Sequence, residues 1–515
     1  MTYRRIVIAV LSARFMRWQE RLRLSLTKQW PETEVIFRFE PGDDAQSETV
    51  TQLLTLERML LRRSKPTLCD RIDKSASTAT LETNADVVID LVGDISATTA
   101  ARVLRPLYDG HTSDQAAVDA ILSGAAPTLA VEDGATGAVI VEGVPSFEAA
   151  DGLTGGLEAV YSRICFLIEK ALADPDAQAA DHAKKCDRTK ARPAAFFLRN
   201  IAFRGLREIY RLCTRSPHWR VGWRHVQGPG VIETGSLTGP AWRVMPDQEV
   251  AFSADPFPIE WRGKKGVFFE LLDYRRDLGE IFFQPFDDSG PVGAPVRSIQ
   301  ERWHLSYPFL IEEGGELYMV PEASTSGAIT LYRCMEFPAT WEPVANLVEN
   351  IEAADATIFR HNGRYWMTSV IRDGYGGYSD VLAIHHAPSL FGPWERHGNS
   401  PVLIDPRYAR PAGAVVSHNG ALLRPVQDCS RGYGKNLAIM RIDALDPETF
   451  RQSQVSYLSP GGRWPGDRLH TINRFGDLEC IDGAVFTPRP MSIRRALHER
   501  IDQRLEDPGA PLLAN

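Results

Sequence analysis

The feature that most constrains this chain is an apolar hairpin unit that recurs about every fifty residues through its second half. The units open with ADPFPIEW from Ala254, SYPFLIEE from Ser306, ADATIFRH from Ala354 and RPAGAVVSHN from Arg410. After a short turn each continues into a second apolar strand, KKGVFFELL, GELYMVPEA, GRYWMTSVI or GALLRPVQD. Asp255, Tyr307, Asp355 and Arg410 are 52, 48 and 55 residues apart. Hairpins that are apolar on both faces cannot bury them alone. Blades set around an axis cover one another, and the first strand of each blade lines a central channel. Four units are visible and closure needs one more. Strands in HTINRFGDLECIDGAVF, ending at Phe486, can meet WRVGWRHVQ from Trp219 and WRVMPD from Trp242. The expectation is an all-β five-bladed propeller over 218–488, closed by both ends of the domain. An open β-sandwich of the same strands is the alternative.

At 515 residues the chain is too long for one ordinary core, which makes it multidomain. A net charge of -8 argues against general nucleic-acid binding, and no stretch approaches the ~20 apolar residues of a membrane span. The N-terminal IVIAVL is short for a signal-peptide core and reads as a first strand. Seven cysteines, odd in number and without a CxxC pair, fit a reducing compartment and offer no zinc site. The expected location is cytoplasmic.

Residues 1–172 alternate strand and helix signals. YRRIVIAVL, EVIFRFEP and ADVVIDLVGD read as strands, with helices after the first two. This order implies an α/β domain with a Rossmann-type parallel sheet. The runs ADVVIDLVGD, TLAVED and GAVIVEGVPS with the closing helix resemble the N-terminal domain of folate-dependent formyltransferases. That family's chemistry uses an Asn and a His upstream of an Asp. Between Leu91 and Ala130 stand Asp94, His111 and Asp114, with no Asn followed by His at the family spacing; His111, in DGHTSD, reads as a loop residue.

Residues 173–217 form a polar linker followed by AAFFLRNIAFRGLREIYRLCTRSP, a basic amphipathic helix. Two readings stay open for it: packing between domains with the arginines in solvent, or peripheral contact of residues 196–215 with an anionic membrane surface. Residues 489–515 read as a C-terminal helix and tail.

The propeller region carries a second resemblance. ADPF, FFE to Glu270, YPF, PEAS, LYRCMEFPATW, ADATIF, FGPWERH, RPAG, RPVQDC and LHT resemble the five-bladed propellers of glycoside hydrolase family 43. They are also similar to the N-terminal propeller of plant glucosamine inositolphosphorylceramide transferases. Glycosidic chemistry needs one carboxyl to donate a proton and one carboxylate to activate the nucleophile. By similarity Asp255 takes the position of the hydrolase base and Asp355 that of the Asp that tunes the acid. Where the acid Glu belongs, this chain has RPAG with Arg410 and no Glu. Glu322 and Glu270, fifteen residues beyond Tyr307 and Asp255, can serve instead. The candidate catalytic set is Asp255, Glu322 and Asp355; the candidate substrate-binding set is Glu270, Tyr307, Arg410, Gln427, Asp428 and His470. Arg410 would suit a phosphate or carboxylate. Trp303, Tyr307 and Trp366 read as blade packing before sugar platforms. No metal ligand set is expected, and the cofactor stays undetermined.

Three functions follow from different classes. The first is a carbohydrate-active enzyme that forms or remodels a glycosidic bond in surface glycan or glycolipid biosynthesis, by glycosyl transfer, on a sugar, nucleotide-sugar or glycolipid substrate. The second is a non-catalytic sugar-binding or scaffold protein. The third is formyl or acyl transfer to an amino sugar by the N-terminal domain.

Overall fold

The computed structural model describes residues 3–42, 46–60, 65–73, 85–95, 102–174, 185–186, 192–214, 217–247, 251–461, 464 and 466–486. The expected C-terminal helix lies outside them, as does much of the linker. The chain divides into two compact units, residues 1–204 with 375–377, and the remainder.

In the first unit β1 (Arg5–Leu11), β2 (Glu34–Glu40), β3 (Val87–Asp90), β4 (Arg102–Tyr108), β5 (Leu129–Asp133) and β6 (Val139–Gly143) form one sheet in the order β2-β1-β3-β4-β5-β6. Ile6 to Val10 of β1 are buried on both faces, which explains the unbroken apolar run. Helices α1 (Arg17–Gln29), α2 (Glu48–Leu60), α3 (Gln115–Ser123) and α4 (Gly152–Ala173) complete the unit. Trp18 of α1 stacks on Tyr161 of α4 at 4.9 Å.

The sheet is mixed, which corrects the expectation of a parallel Rossmann-type sheet. β2, β1, β3 and β4 run parallel, whereas β5 and β6 are antiparallel to their neighbours. Two local devices reverse the chain. Asp109, just past β4, donates its N–H to the Thr128 carbonyl and accepts the Thr128 N–H on its carboxylate, so β5 starts beside the end of β4 and runs back. The turn from Gly134 to Ala138 is too short for a crossover. Of the residues weighed for formyl chemistry, Asp94 is exposed, and the other two bond within the unit's own framework. Asp114 accepts hydrogen bonds from Arg14 (2.6 Å) and the Tyr161 hydroxyl (2.7 Å), and His111 closes a backbone turn onto Tyr108.

The second unit is a five-bladed propeller, with blades over 251–299, 306–349, 352–404 and 416–458. The fifth joins Ile472–Phe475 and Leu478–Val485 to His218–His225 and Arg243–Val244, so both ends of the domain close the ring. The sandwich alternative falls away. The first three blades open alike: Asp255, Tyr307 and Asp355 take φ of 52°, 45° and 54°, each beside a register shift against the next strand. A positive φ is costly for such residues and tends to mark a functional or over-determined position. Blade four departs from the expected strand at Arg410. Pro411 makes only an isolated bridge to Val426, and the regular strand is confined to Val416–His418. Gly413 lies in this break at φ 138°, where only glycine fits, because a Cβ there would lie 2.0 Å from the Ile472 carbonyl.

Candidate active site at the propeller axis

The three repeated openings bring Asp255, Tyr307 and Asp355 together at the axis, all essentially buried. Asp255 accepts the Tyr307 N–H of blade two (3.2 Å) and the Thr471 hydroxyl of blade five (2.5 Å). The Tyr307 hydroxyl bonds Thr357 of blade three and accepts the Gly413 N–H of blade four, both at 2.8 Å. Asn473 of blade five donates to the Pro256 carbonyl of blade one at 3.0 Å. The same side chains therefore fasten all five blades to one another.

Two charged groups of residues grow out of this ring. In the first, His470 Nδ1 lies 3.0 Å from Asp482 and 3.3 Å from Asp255, while Asp482 accepts the backbone N–H groups of Asp255 and Thr471. One ligand atom from each of Asp255, His470 and Asp482 falls within 4.8 Å of the others, a spacing that could hold a metal ion. The hydrogen bonds favour an internal ion triad instead. Burial alone would lower the His470 pKa, but Asp255 and Asp482 raise it to about 9, which makes Nδ1–H a donor to both acids. Burial raises Asp255 to about 7, with His470 opposing and Asp482 and Glu270 adding to the shift.

In the second group, Arg410 Nε donates to Asp355 at 2.6 Å, and Nη2 lies 3.6 Å from Glu322 and 3.3 Å from the Tyr433 hydroxyl. Its Nη1 donates to the Tyr378 carbonyl at 3.3 Å, and the guanidinium sits 4.8 Å from the centre of the Tyr433 ring. Gln427 donates to Asp355 and to the Pro411 carbonyl. Glu322 also accepts the Ser306 hydroxyl at 2.9 Å. Burial would raise Glu322, yet Arg410 and His304 hold it below the usual carboxylate value. Burial pushes Asp355 well up against Arg410, and the Glu322 charge adds to that. The two carboxyls titrate apart, with Glu322 the anion and Asp355 the one that takes a proton first. Beside them His304 faces Glu270 at 3.2 Å; burial would lower its pKa, and the Glu270 carboxylate raises it to about 9.

The structure thus gathers eight of the nine expected residues. Asp428 is the exception: strand side chains alternate, so with Gln427 at the axis its neighbour faces the other way, accepting the Tyr457 hydroxyl (2.7 Å) and the Ser430 N–H. The role expected for Arg410 also changes. Its guanidinium is spent on Asp355, Glu322, Tyr433 and a backbone carbonyl, which leaves no open fork for a substrate anion. Exposure separates the acids: the Glu322 side chain keeps 11% of its surface and His304 39%, against 3% for Asp255 and 2% for Asp355. Trp366 is buried, with its ring N–H bonded to the His361 carbonyl, and Trp303 packs against the core of blades one to three, as expected of blade packing. Sequence reasoning missed His304, Tyr433 and Asp482. Asp482 left a signal, as one of two acids, with Glu479, set inside the otherwise apolar strand LECIDGAV.

Residues 245–475 match the family described as glucosamine inositolphosphorylceramide transferase 1, N-terminal. The chain is 32% identical over 228 residues to glucosamine inositolphosphorylceramide transferase 1 of Arabidopsis thaliana, covering 42% of this chain and 30% of that protein. The protein of the same name from Oryza sativa subsp. indica is 30% identical over 232 residues, covering 43% and 31%. The chain thus spans about a third of the length of these curated relatives. Among solved structures, a GH43 protein of Bacillus licheniformis aligns with a TM-score of 0.33 at 19% identity, covering 44% of this chain and 51% of that one.

Proposed function

We propose that the propeller binds a sugar-bearing substrate at the axial mouth and forms a glycosidic bond in glycan or glycolipid assembly. The observation that carries this reading is the convergence, inside the matched region, of a partly exposed carboxylate, Glu322, with the buried carboxyls of Asp255 and Asp355. Glu322 accepts the proton of an acceptor hydroxyl. The freed oxygen bonds the anomeric carbon, and the leaving group departs with the electrons of the broken bond. Asp355 and Asp255 lie deeper than Glu322, and burial raises the pKa of both above the ordinary carboxylate range. Arg410 positions Asp355 and Glu322 and does not itself grip the substrate. The names of the plant relatives support transfer over hydrolysis, and glucosamine-type donors come first among those to try.

The test is turnover of a panel of nucleotide sugars and aryl glycosides by the purified chain, followed by mass spectrometry of the products. Glu322→Gln is expected to lower turnover by roughly a hundredfold or more with substrate affinity little changed. Sugar binding without turnover, indifferent to Glu322→Gln and Asp255→Asn, would replace the enzyme by a recognition module.

A further inference from the structure

Helix α5 (Pro193–Cys213) presents to solvent the kind of residues that a helix normally buries. Leu198 is 67% exposed, Leu206 60% and Ile209 58%, with Ile201 beside them. At helical spacing these four residues, with Ala202 and Gly205 between them, fall within an arc of about 140°. Arg199, Arg204 and Arg207 lie outside that arc, and Arg204 is paired with Asp151 at 2.8 Å. The apolar surface continues through the exposed Phe203 and Tyr210 to Phe486, whose ring lies 6.0 Å from that of Tyr210.

We infer that α5 is an in-plane membrane anchor that lays its leucine and isoleucine row into an anionic lipid surface. Charge selects this occupant. Four arginines against one acid, Glu208, give the helix +3, while the whole chain carries -8 and the rest of it therefore -11. The helix is a basic strip on an acidic protein, complementary to anionic headgroups through Arg199 beside the row and Arg207 on the face behind it. A second copy of the chain would bring its own four arginines against these, which disfavours self-pairing through the same face. Arginine side chains can keep their heads at the phosphate level while their stems line the acyl boundary. Among the described residues no helix is long and apolar enough to cross a membrane, so this contact lies on the surface. The inference is independent of the reaction at the propeller axis.

Flotation of the full chain with vesicles tests it, using phosphatidylcholine alone and phosphatidylcholine mixed with phosphatidylglycerol. Binding to the mixed vesicles, weakened by salt, is expected. Leu206→Glu with Ile209→Glu should lower it more than about tenfold, and Arg207→Gln about fivefold on anionic vesicles only. Both changes lie on exposed positions, and Leu198→Ser with Ile201→Ser provides a second variant if the first misfolds by circular dichroism. Failure of the wild-type chain to float, or flotation indifferent to the apolar substitutions, overturns the inference. So does a concentration-dependent dimer in sedimentation that Leu206→Glu abolishes while vesicles stay unbound.

Discussion

At the residue scale the site is governed by which carboxyl keeps its charge. His304 is the sharpest probe, because it stands at the edge of the cluster and touches neither Asp255 nor Asp355. With its pKa raised from the ordinary 6.5 to about 9 by Glu270, the folded protein binds a proton that the unfolded chain releases earlier. The stabilisation is fully present below pH 6.5 and is lost as the pH rises towards 9. His470, raised to about 9 by Asp255 and Asp482, acts in the same direction over the same window. Urea midpoints at pH 6, 7.5 and 9 should therefore fall, and His304→Asn should flatten part of that fall by removing one of the two protons. An unchanged slope in His304→Asn would show that the Glu270 contact does not supply it. The exposure of the His304 ring keeps its share modest.

At the element scale the closing blade depends on one buried ion pair. Arg224, on His218–His225, donates to Glu479, on Leu478–Val485, at 2.8 Å, and both side chains are almost fully buried. The other Glu479 oxygen accepts the Val231 N–H at 2.7 Å, and Arg224 lies 4.1 Å from the Trp242 ring centre. Glu479→Gln keeps the shape but leaves the guanidinium without its counter-charge, which should cost about 3 kcal/mol in chemical denaturation. A change below about 1 kcal/mol would mean that water reaches Arg224. The blades themselves were legible in the sequence, because strand pairs apolar on both faces recur with Asp255, Tyr307 and Asp355 at matching places. The rest was hidden for physical reasons. Strand signals carry no direction, so β5 and β6 could not be told from parallel strands. The phase that sends Gln427 inward and Asp428 outward depends on register. His304 and Tyr433 come from loops outside the repeat. An amphipathic pattern such as that of α5 is the same whether protein or lipid covers it.

At the scale of the whole molecule the two units have separate cores, and a ring closed by its own termini should unfold as one body. Gly222, in the strand that closes the ring, has no room for a side chain: a Cβ would lie 2.0 Å from the buried Trp464 ring. That ring sits in the core with Val231, Leu437, Ile472 and Ile481, which draws on blades four and five, so it cannot swing aside without disturbing both. Gly222→Ala should therefore cost at the upper end of the usual 1–3 kcal/mol for overpacking, about 3 kcal/mol, and lower the propeller's melting transition by several degrees. In the first unit Asp114→Ala removes the acceptor shared by Arg14 and Tyr161 and leaves the phenol, itself at the stacked contact with Trp18, without its partner. Calorimetry of the full chain should resolve two transitions, with Gly222→Ala moving one and Asp114→Ala the other. If either variant moved both transitions together, the units would be thermodynamically one. The propeller ring would then draw part of its stability from residues outside itself.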